Sequence, residues 1–252
     1  MKYAILLAYD GTNYGGWQVQ KNKISVQEKV EGAVSELFGK KTAVIASGRT
    51  DSGVHAAGQV CHFQGVSTIP PEKLADALNM RLPEDISVLK SVAAPESFDA
   101  NRSAKRKTYC FRMYLSPRRN PLKDRYSVWV KGCADIAKLQ HIAGAFVGVH
   151  DFKAYQKSGS QVKTTVREVY SVEVKTKQSY HSTDVEIYVC GGGFLYNMVR
   201  TIAGTMLYFA QGSLTEEDVA RSLNSCDRTA VGKTMPARGL TLESVEYEDL
   251  KF

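Results

Sequence analysis

The sequence predicts an α+β protein made of two tandem ferredoxin-like halves, with antiparallel sheets around a central cleft. Two observations carry this prediction. Segments with strand-like and helix-like apolar spacing follow one another in the order β-α-β-β-α-β, and the second half of the chain repeats that order. The length of 252 residues fits one large domain or two closely associated ones. We therefore expect a pseudo-symmetric molecule with one half at residues 1–104 and the other at residues 105–252.

The first half opens with a strand, because apolar side chains alternate over residues 3–9. Ser25 and Glu28 have the spacing of a capping box, so a helix is predicted to begin there. Two strands separated by a glycine-rich turn follow, and then a helix opened by Pro70 and Pro71 and a last strand. These three strands are predicted at residues 42–47, 59–63 and 86–93.

The second half repeats the pattern without obvious sequence identity to the first. Helical spacing predicts one helix over residues 135–146 and an apolar helix from Phe194, and the pair Thr215 and Asp218 predicts the cap of a short third helix. The strands of this half are predicted at residues 107–115, 165–174, 183–189 and 240–247.

The charge balance favours an anionic partner. The chain has 33 basic and 26 acidic residues, a formal net charge of +7. Such a charge is typical of proteins that bind nucleic acid or an anionic membrane, although many other proteins are mildly basic.

The sequence shows no sign of a disulfide framework, a metal site or a membrane span. Its five cysteines form no C-x-x-C pair and its histidines lack ligand spacing, so we expect neither a disulfide framework nor a metal site. The longest apolar stretch, residues 194–210, contains Asn197 and Arg200, so we expect a soluble, cytoplasmic protein that does not enter a membrane.

The densest polar cluster lies at residues 47–55, between two predicted strands. Catalytic groups often lie in such loops, and Asp51 is the carboxylate in this one. A hairpin turn in which Asp51 bonds to its own backbone is the simpler interpretation. Arg200 adds weight to a catalytic one, because an arginine inside a buried apolar helix needs a carboxylate or another anion as its partner. A purely structural ion pair, or an arginine that reaches solvent, is an equally good interpretation.

Basic and aromatic residues interleave over residues 102–114, a stretch that includes Arg106, Lys107 and Tyr109. On a sheet, such a stretch can bind phosphates through its charges and stack a base on its rings. An ordinary strand with a solvated basic edge explains the pattern nearly as well.

Residues 232–234 read GKT, the order that ends a phosphate-binding P-loop. The earlier glycine of that motif falls on Asp227, and the next residues, Met235 and Pro236, do not begin a helix in the required place. We therefore expect no P-loop at this position.

Several strings of the sequence resemble the TruA-type tRNA pseudouridine synthases, and together they span nearly the whole chain. The most specific is RTDSGVHAAGQV at residues 49–60. The others are YDG and GWQ within residues 9–18, SVQE at 25–28, LPxDI at 82–86, FLYxMVR at 194–200 and GLxL at 239–242. The resemblance implies the pseudouridine-synthase fold, which agrees with the repeated β-α-β-β-α-β order.

The resemblance also implies an isomerase that converts uridine to pseudouridine in the anticodon stem-loop of tRNA, at positions 38 to 40, on a flipped-out base. Asp51 falls on the family's nucleophile, Tyr109 on its active-site tyrosine and Arg200 on the arginine that pairs with the aspartate. Arg49 falls on the arginine that fills the gap left by the flipped base, which lowers the cost of flipping. A homodimer and the absence of a cofactor are implied as well. Further substrate-binding residues are expected at Leu240, Leu242, Arg106 and Lys107.

The chain departs from the family pattern at Thr201, which replaces a frequent asparagine, in the KRKT segment at residues 105–108, and at one basic position. Where the family has FHARFSA, residues 98–104 read FDANRSA, so Asn101 stands in place of an arginine and Arg102 follows one residue later. The reaction class is unaffected, whereas the tRNA position and the affinity depend on whether Arg102 compensates.

A non-catalytic RNA-binding protein is the alternative from another class, because tandem ferredoxin-like units also describe proteins with two RRM domains. No RNP1-like string lies on a central predicted strand, and the trio Asp51, Tyr109 and Arg200 is complete. We therefore favour the enzyme.

Overall fold

The structure is a computed structural model that describes residues 1–157, 159 and 162–252. It is a mixed α+β protein, as predicted, and it divides into two compact units. The first unit comprises Met1–Lys107 together with the C-terminal segment Thr241–Phe252, and the second comprises Thr108–Leu240.

The first unit has the ferredoxin-like arrangement that the sequence predicts. Its elements are β1 (Lys2–Tyr9), α1 (Val26–Phe38), β2 (Ile45–Ala46), β3 (His55–Gln64), α2 (Leu74–Asn79) and β4 (Ile86–Ala94). These strands are antiparallel and lie in the order β4-β1-β3-β2. Ser25 caps α1 as expected, since its hydroxyl accepts a hydrogen bond of 3.2 Å from the backbone N–H of Glu28.

The central strand β1 is buried on both faces, although its alternating pattern predicts only one. Tyr3, Ile5 and Leu7 are buried on one face, where Tyr3 contacts the ring of Phe38 in α1 at a centroid distance of 5.7 Å. Ala4 is buried on the other face, in a second apolar cluster. That cluster also contains Val60 of β3, Phe98, Ala100 and, from the C-terminal segment, Leu250. The C-terminal segment thus covers a face that the local pattern leaves open.

Among the described residues of the second unit are five strands and three helices, and the strand β10 follows them in the chain. They are β5 (Arg106–Ser116), β6 (Val128–Lys131), α3 (Ile136–Ala143), β7 (Gly148–Asp151), β8 (Val166–Ser179), β9 (Ser182–Gly191), α4 (Met198–Ala210), α5 (Glu216–Asn224) and β10 (Leu240–Glu246). The strand order is β5-β9-β8-β7, and β6 pairs with β5 in parallel. The predicted cap of α5 is confirmed, because Thr215 and Asp218 form a reciprocal capping box.

Several element boundaries differ from the prediction, among them the end of β8, which extends to Ser179 instead of residue 174. The helix α4 begins at Met198 rather than at Phe194, because Asn197 before it has a left-handed backbone with φ 69°. The strand β3 begins at His55, four residues earlier than predicted, and β2 is reduced to Ile45–Ala46. No helix among the described residues is both long enough and apolar enough to cross a membrane.

His62 of β3 connects this strand to the segment after β4. The side chain is 6% exposed, and its Nδ1 accepts a hydrogen bond of 3.0 Å from the backbone N–H of Ala100. Nδ1 can accept this bond only while it carries no proton. Burial lowers the pKa of His62 below its usual value, and the nearby charge of Asp99 opposes that shift.

Acidification is therefore expected to destabilise the protein through His62. The pKa in the folded state lies below that of the unfolded chain, so the unfolded state takes up the proton first and stability falls as the pH drops below about 6.5. Urea unfolding at pH 7.5 and pH 5.5 should show a larger loss for the wild type than for His62→Asn, whose amide oxygen can replace Nδ1 as the acceptor. His181→Asn, at an exposed histidine, is the control and should keep the wild-type pH dependence.

Candidate active site

Asp51 lies in a turn between β2 and β3, residues 47–54, which we call the Asp51 turn. Asp51 is half-buried, and the neighbouring Arg49 is exposed. The carbonyl of Asp51 accepts a hydrogen bond of 3.1 Å from the backbone N–H of Val54. Gly53 inside the turn has φ +79°, a conformation that glycine adopts without steric cost. The carboxylate is thus carried by a short, closed turn at the start of a central strand.

Residues of the YDG and GWQ strings contact Thr50, the residue before Asp51. The carbonyl of Thr50 accepts a hydrogen bond of 3.0 Å from the backbone N–H of Trp17, and its Oγ1 lies 2.8 Å from the hydroxyl of buried Tyr9. Burial raises the pKa of Tyr9 well above its usual range, so this hydroxyl stays protonated. Gly16 has φ +102°, and a Cβ there would lie 2.7 Å from the carbonyl oxygen of Thr50. The backbone therefore approaches the Asp51 turn too closely for any residue but glycine at position 16.

Gly11 makes a second close approach to the same turn. A Cβ on Gly11 would lie 2.0 Å from the carbonyl oxygen of Val54, and its backbone N–H donates a hydrogen bond of 3.1 Å to Nδ1 of His55. The strings YDG and GWQ thus contact RTDSGVH directly in space.

The other end of the Asp51 turn is held by polar side chains. The hydroxyl of Ser47 donates a hydrogen bond of 2.6 Å to Oε1 of Gln59, whose Nε2 donates one of 3.0 Å to the carbonyl of Gly48. Ser47 and Gln59 are both fully buried. The ammonium of Lys107 donates a hydrogen bond of 2.6 Å to the carbonyl of Ser47. Both ends of the turn are therefore fixed, which orders the backbone that carries Asp51.

In the second unit, Tyr109 lies near the start of β5 and is 8% exposed. Its ring meets that of Phe194 edge to face, with a centroid distance of 5.3 Å and an interplanar angle of 85°. Phe194 lies four residues before the start of α4. An edge-to-face contact of this kind restrains the orientation of the tyrosine ring.

Arg200 lies in the first turn of α4 and is half-buried. Its Nε donates a hydrogen bond of 2.7 Å to the carbonyl of Met235, and its Nη1 donates one of 2.8 Å to Oδ1 of Asn197. The neutral oxygens of Met235 and Asn197 thus accept two of the hydrogen bonds that the guanidinium of Arg200 can donate. The pairing of Arg200 with Asp51 stays a prediction.

The GKT string at residues 232–234 has a structural role beside α4. The backbone N–H of Gly232 donates a hydrogen bond of 3.0 Å to the hydroxyl of Thr205, and the N–H of Met235 donates one of 3.2 Å to the carbonyl of Arg200. A Cβ on Gly204 would lie 1.9 Å from the carbonyl oxygen of Lys233. Close packing of this segment on α4 places the carbonyl of Met235 against the guanidinium of Arg200.

No group of three or more histidine, cysteine or acidic side chains within residues 1–157, 159 and 162–252 is arranged to hold a metal ion. That no cofactor takes part in the reaction stays an expectation from the family resemblance.

Comparison with known proteins identifies the family. The family model described as tRNA pseudouridine synthase matches residues 5–101 and 142–248. The chain belongs to the tRNA pseudouridine synthase family. It is therefore a pseudouridine synthase, which is an isomerase.

Relatives of this tRNA pseudouridine synthase match it over nearly its full length. A protein named tRNA pseudouridine synthase A from Ruminiclostridium cellulolyticum is 45% identical over 98% of this chain and 99% of its own. Proteins of the same name from Geotalea uraniireducens and Caldicellulosiruptor bescii are 43% and 40% identical, each over 96% of this chain and 98% of their own. A solved archaeal box H/ACA sRNP Nop10-Cbf5 complex is 10% identical over 82% of this chain and 43% of that chain, with a TM-score of 0.35.

The predicted site residues of this tRNA pseudouridine synthase fall into two groups. The first unit holds Arg49, Asp51, Arg106, Lys107 and Leu242, and the second holds Tyr109, Arg200 and Leu240. In the first unit, Lys107 contacts the Asp51 turn, and fully buried Leu242 lies in β10 opposite Ala56, in parallel pairing with the strand that follows the turn. In the second unit, Leu240 is 6% exposed.

Sequence reasoning missed several residues that support this site. Gln59 lies inside the most specific string of the sequence, so its position in that string was the signal that could have found it. Asn197 and Met235 gave no such signal, because one is an ordinary polar residue before a helix and the other contributes only its carbonyl.

Proposed function

We propose that this chain isomerises uridine to pseudouridine in the anticodon stem-loop of tRNA, at positions 38 to 40. The observation that carries the proposal is the similarity, over 98% of this chain, to a protein named tRNA pseudouridine synthase A. The excess of positive charge, +7, agrees with an RNA substrate.

In the proposed reaction, the carboxylate of Asp51 acts as a nucleophile and forms a bond to the ribose carbon that carries the flipped-out base. The bond between N1 and the ribose breaks, the base rotates, and a bond from C5 to the ribose forms as the carboxylate leaves. The proton on C5 departs and N1 gains one, so the atoms of substrate and product balance. A carboxylate suits this role because it can add and leave again without being consumed. The anchored backbone of the Asp51 turn supports the proposal, since a nucleophile held in place reacts faster than a mobile one.

The other site residues have proposed roles in the same reaction. Tyr109 would stack on the base and assist the removal of the C5 proton, and Arg200 would pair with the carboxylate and keep it ionised. Arg49 would fill the gap in the RNA stack, which suits its exposed position. Leu240 and Leu242 would line the pocket for the base.

Exposed basic residues of the first unit would bind the RNA backbone. Arg106 is exposed at the start of β5, and Arg102 is exposed in the preceding segment. The carboxylate of Asp99 accepts hydrogen bonds of 2.9 Å from the backbone N–H groups of both Asn101 and Arg102. These two bonds fix the backbone at Arg102. They support the proposal that Arg102 takes the place of the arginine that the family has where this chain has Asn101. From the family resemblance we further propose a homodimer that acts in the cytoplasm.

Tritium release from tRNA transcripts labelled at C5 of uridine tests the proposal. Wild-type protein is expected to release tritium, because C5 loses its hydrogen in the product. Transcripts in which the uridines at positions 38 to 40 are replaced by cytidine are the control and should release none. Release from the replaced transcripts would contradict the proposed positions, and no release from any tRNA would contradict the tRNA substrate.

A further inference from the structure

Lys107 and Arg106 are adjacent basic residues in β5 with different surroundings. Arg106 is exposed, whereas Lys107 is half-buried. Consecutive side chains of a strand point to opposite faces, so the charges of Arg106 and Lys107 lie on opposite faces of β5. Their different surroundings cannot be read from the sequence, because both residues belong to one basic stretch.

The ammonium of Lys107 is directed at the Asp51 turn. It donates a hydrogen bond of 2.6 Å to the carbonyl of Ser47, the first residue of that turn. The same amine also lies beside Gly48, because a Cβ on that glycine would be 3.2 Å from Nζ of Lys107. Lys107 is half-buried, and this burial lowers the pKa of its amine.

We propose that Lys107 is a positioning residue, which fixes the backbone of the Asp51 turn, and that it does not bind RNA phosphate. The proposal rests on the proposed function, because it assigns Lys107 to the carboxylate that acts as the nucleophile. It separates Lys107 from Arg106, whose exposed guanidinium keeps the role of a phosphate contact.

The distance along the chain supports a positioning role. Ser47 and Lys107 are 60 residues apart, so their contact closes a long loop and fixes the turn to a different strand. Lys107 and Tyr109 lie on the same face of β5, because they are two residues apart in one strand.

The variants Lys107→Met and Arg106→Met test this proposal through steady-state kinetics and tRNA binding. Lys107→Met should lower kcat by about 10- to 100-fold, because a small displacement of a reacting group has an effect of that size. Its KM, its Kd and the salt dependence of binding should stay close to wild type. Arg106→Met, the matched control, should raise KM and Kd and reduce the slope of log Kd against log salt by about one.

Lys107→Arg is a second variant. It keeps the positive charge and still offers N–H donors to the carbonyl of Ser47. A phosphate contact would leave its kcat and KM at wild-type values. A positioning role predicts a lower kcat at unchanged KM, because a guanidinium is longer and wider than an ammonium and cannot make the same bond to Ser47 without moving the turn. Tritium release by the wild type shows separately that the proposed function holds. If the wild type is active while Lys107→Met weakens binding and lowers the salt slope as Arg106→Met does, the positioning role is overturned.

Discussion

Asp51→Asn is expected to lower pseudouridine formation by at least about 10³-fold, while tRNA affinity stays within about threefold of wild type. Asparagine has nearly the shape of aspartate but lacks the charge and the nucleophilicity of a carboxylate. The turn that carries residue 51 is held through its backbone and through Thr50, Ser47 and Gln59, none of which changes in the variant. Single-turnover tritium release and filter binding measure the two quantities on the same preparation.

The matched control for this variant is Asp249→Asn, because Asp249 is an exposed aspartate in the same unit. It removes the same charge and should keep wild-type turnover. Wild-type turnover in Asp51→Asn would exclude a nucleophilic role for Asp51. A large loss of binding in that variant would place Asp51 in substrate recognition instead.

Gly204→Ala is expected to lower the free energy of unfolding by about 3 kcal/mol. The new Cβ would lie 1.9 Å from the carbonyl oxygen of Lys233, which is backbone and cannot rotate away. The helix α4 or the segment beside it must therefore move. Because the same segment presents the carbonyl of Met235 to Arg200, turnover should fall together with stability. Urea unfolding followed by circular dichroism measures the first effect, and tritium release measures the second.

Gly144→Ala is the control for this prediction. Gly144 has φ −61°, which alanine adopts readily, and a Cβ there meets nothing within 4 Å. Alanine at this position should be neutral or slightly stabilising, since it reduces the freedom of the unfolded chain. Equal stability of the two variants would show that α4 tolerates a shift of the neighbouring backbone.

Local sequence patterns predicted most of this fold, because each unit is built from elements whose apolar spacing is visible in isolation. The capping residues Ser25 and Thr215 show this directly, since each side chain bonds to a residue only three positions away. The strands β6 and β7 were missed because four residues contain too little periodicity to identify a strand. The buried second face of β1 was missed because residues from the far end of the chain cover it.

The proposed catalytic residues could be named from sequence, but their supporting contacts could not. Asp51 lies in a string specific enough to identify on its own. The bond from Lys107 to Ser47 joins residues 60 positions apart, and the bond from Arg200 to Met235 ends on a backbone carbonyl that any residue could supply. Contacts of these two kinds leave no pattern in a single sequence, so only the three-dimensional structure separates Lys107 from its neighbour Arg106.

The place of the C-terminal segment has a consequence for how the protein is made. During synthesis, Met1–Lys107 leaves the ribosome before the whole of Thr108–Leu240, yet its unit is completed by Thr241–Phe252. Until those residues emerge, the first unit lacks the strand beside His55 and Ala56 and the cover over Ala4. Nascent domains with exposed apolar surface are prone to misassembly. The strand that leads from the Asp51 turn therefore gains its last neighbour only after the whole of the second unit has been synthesised.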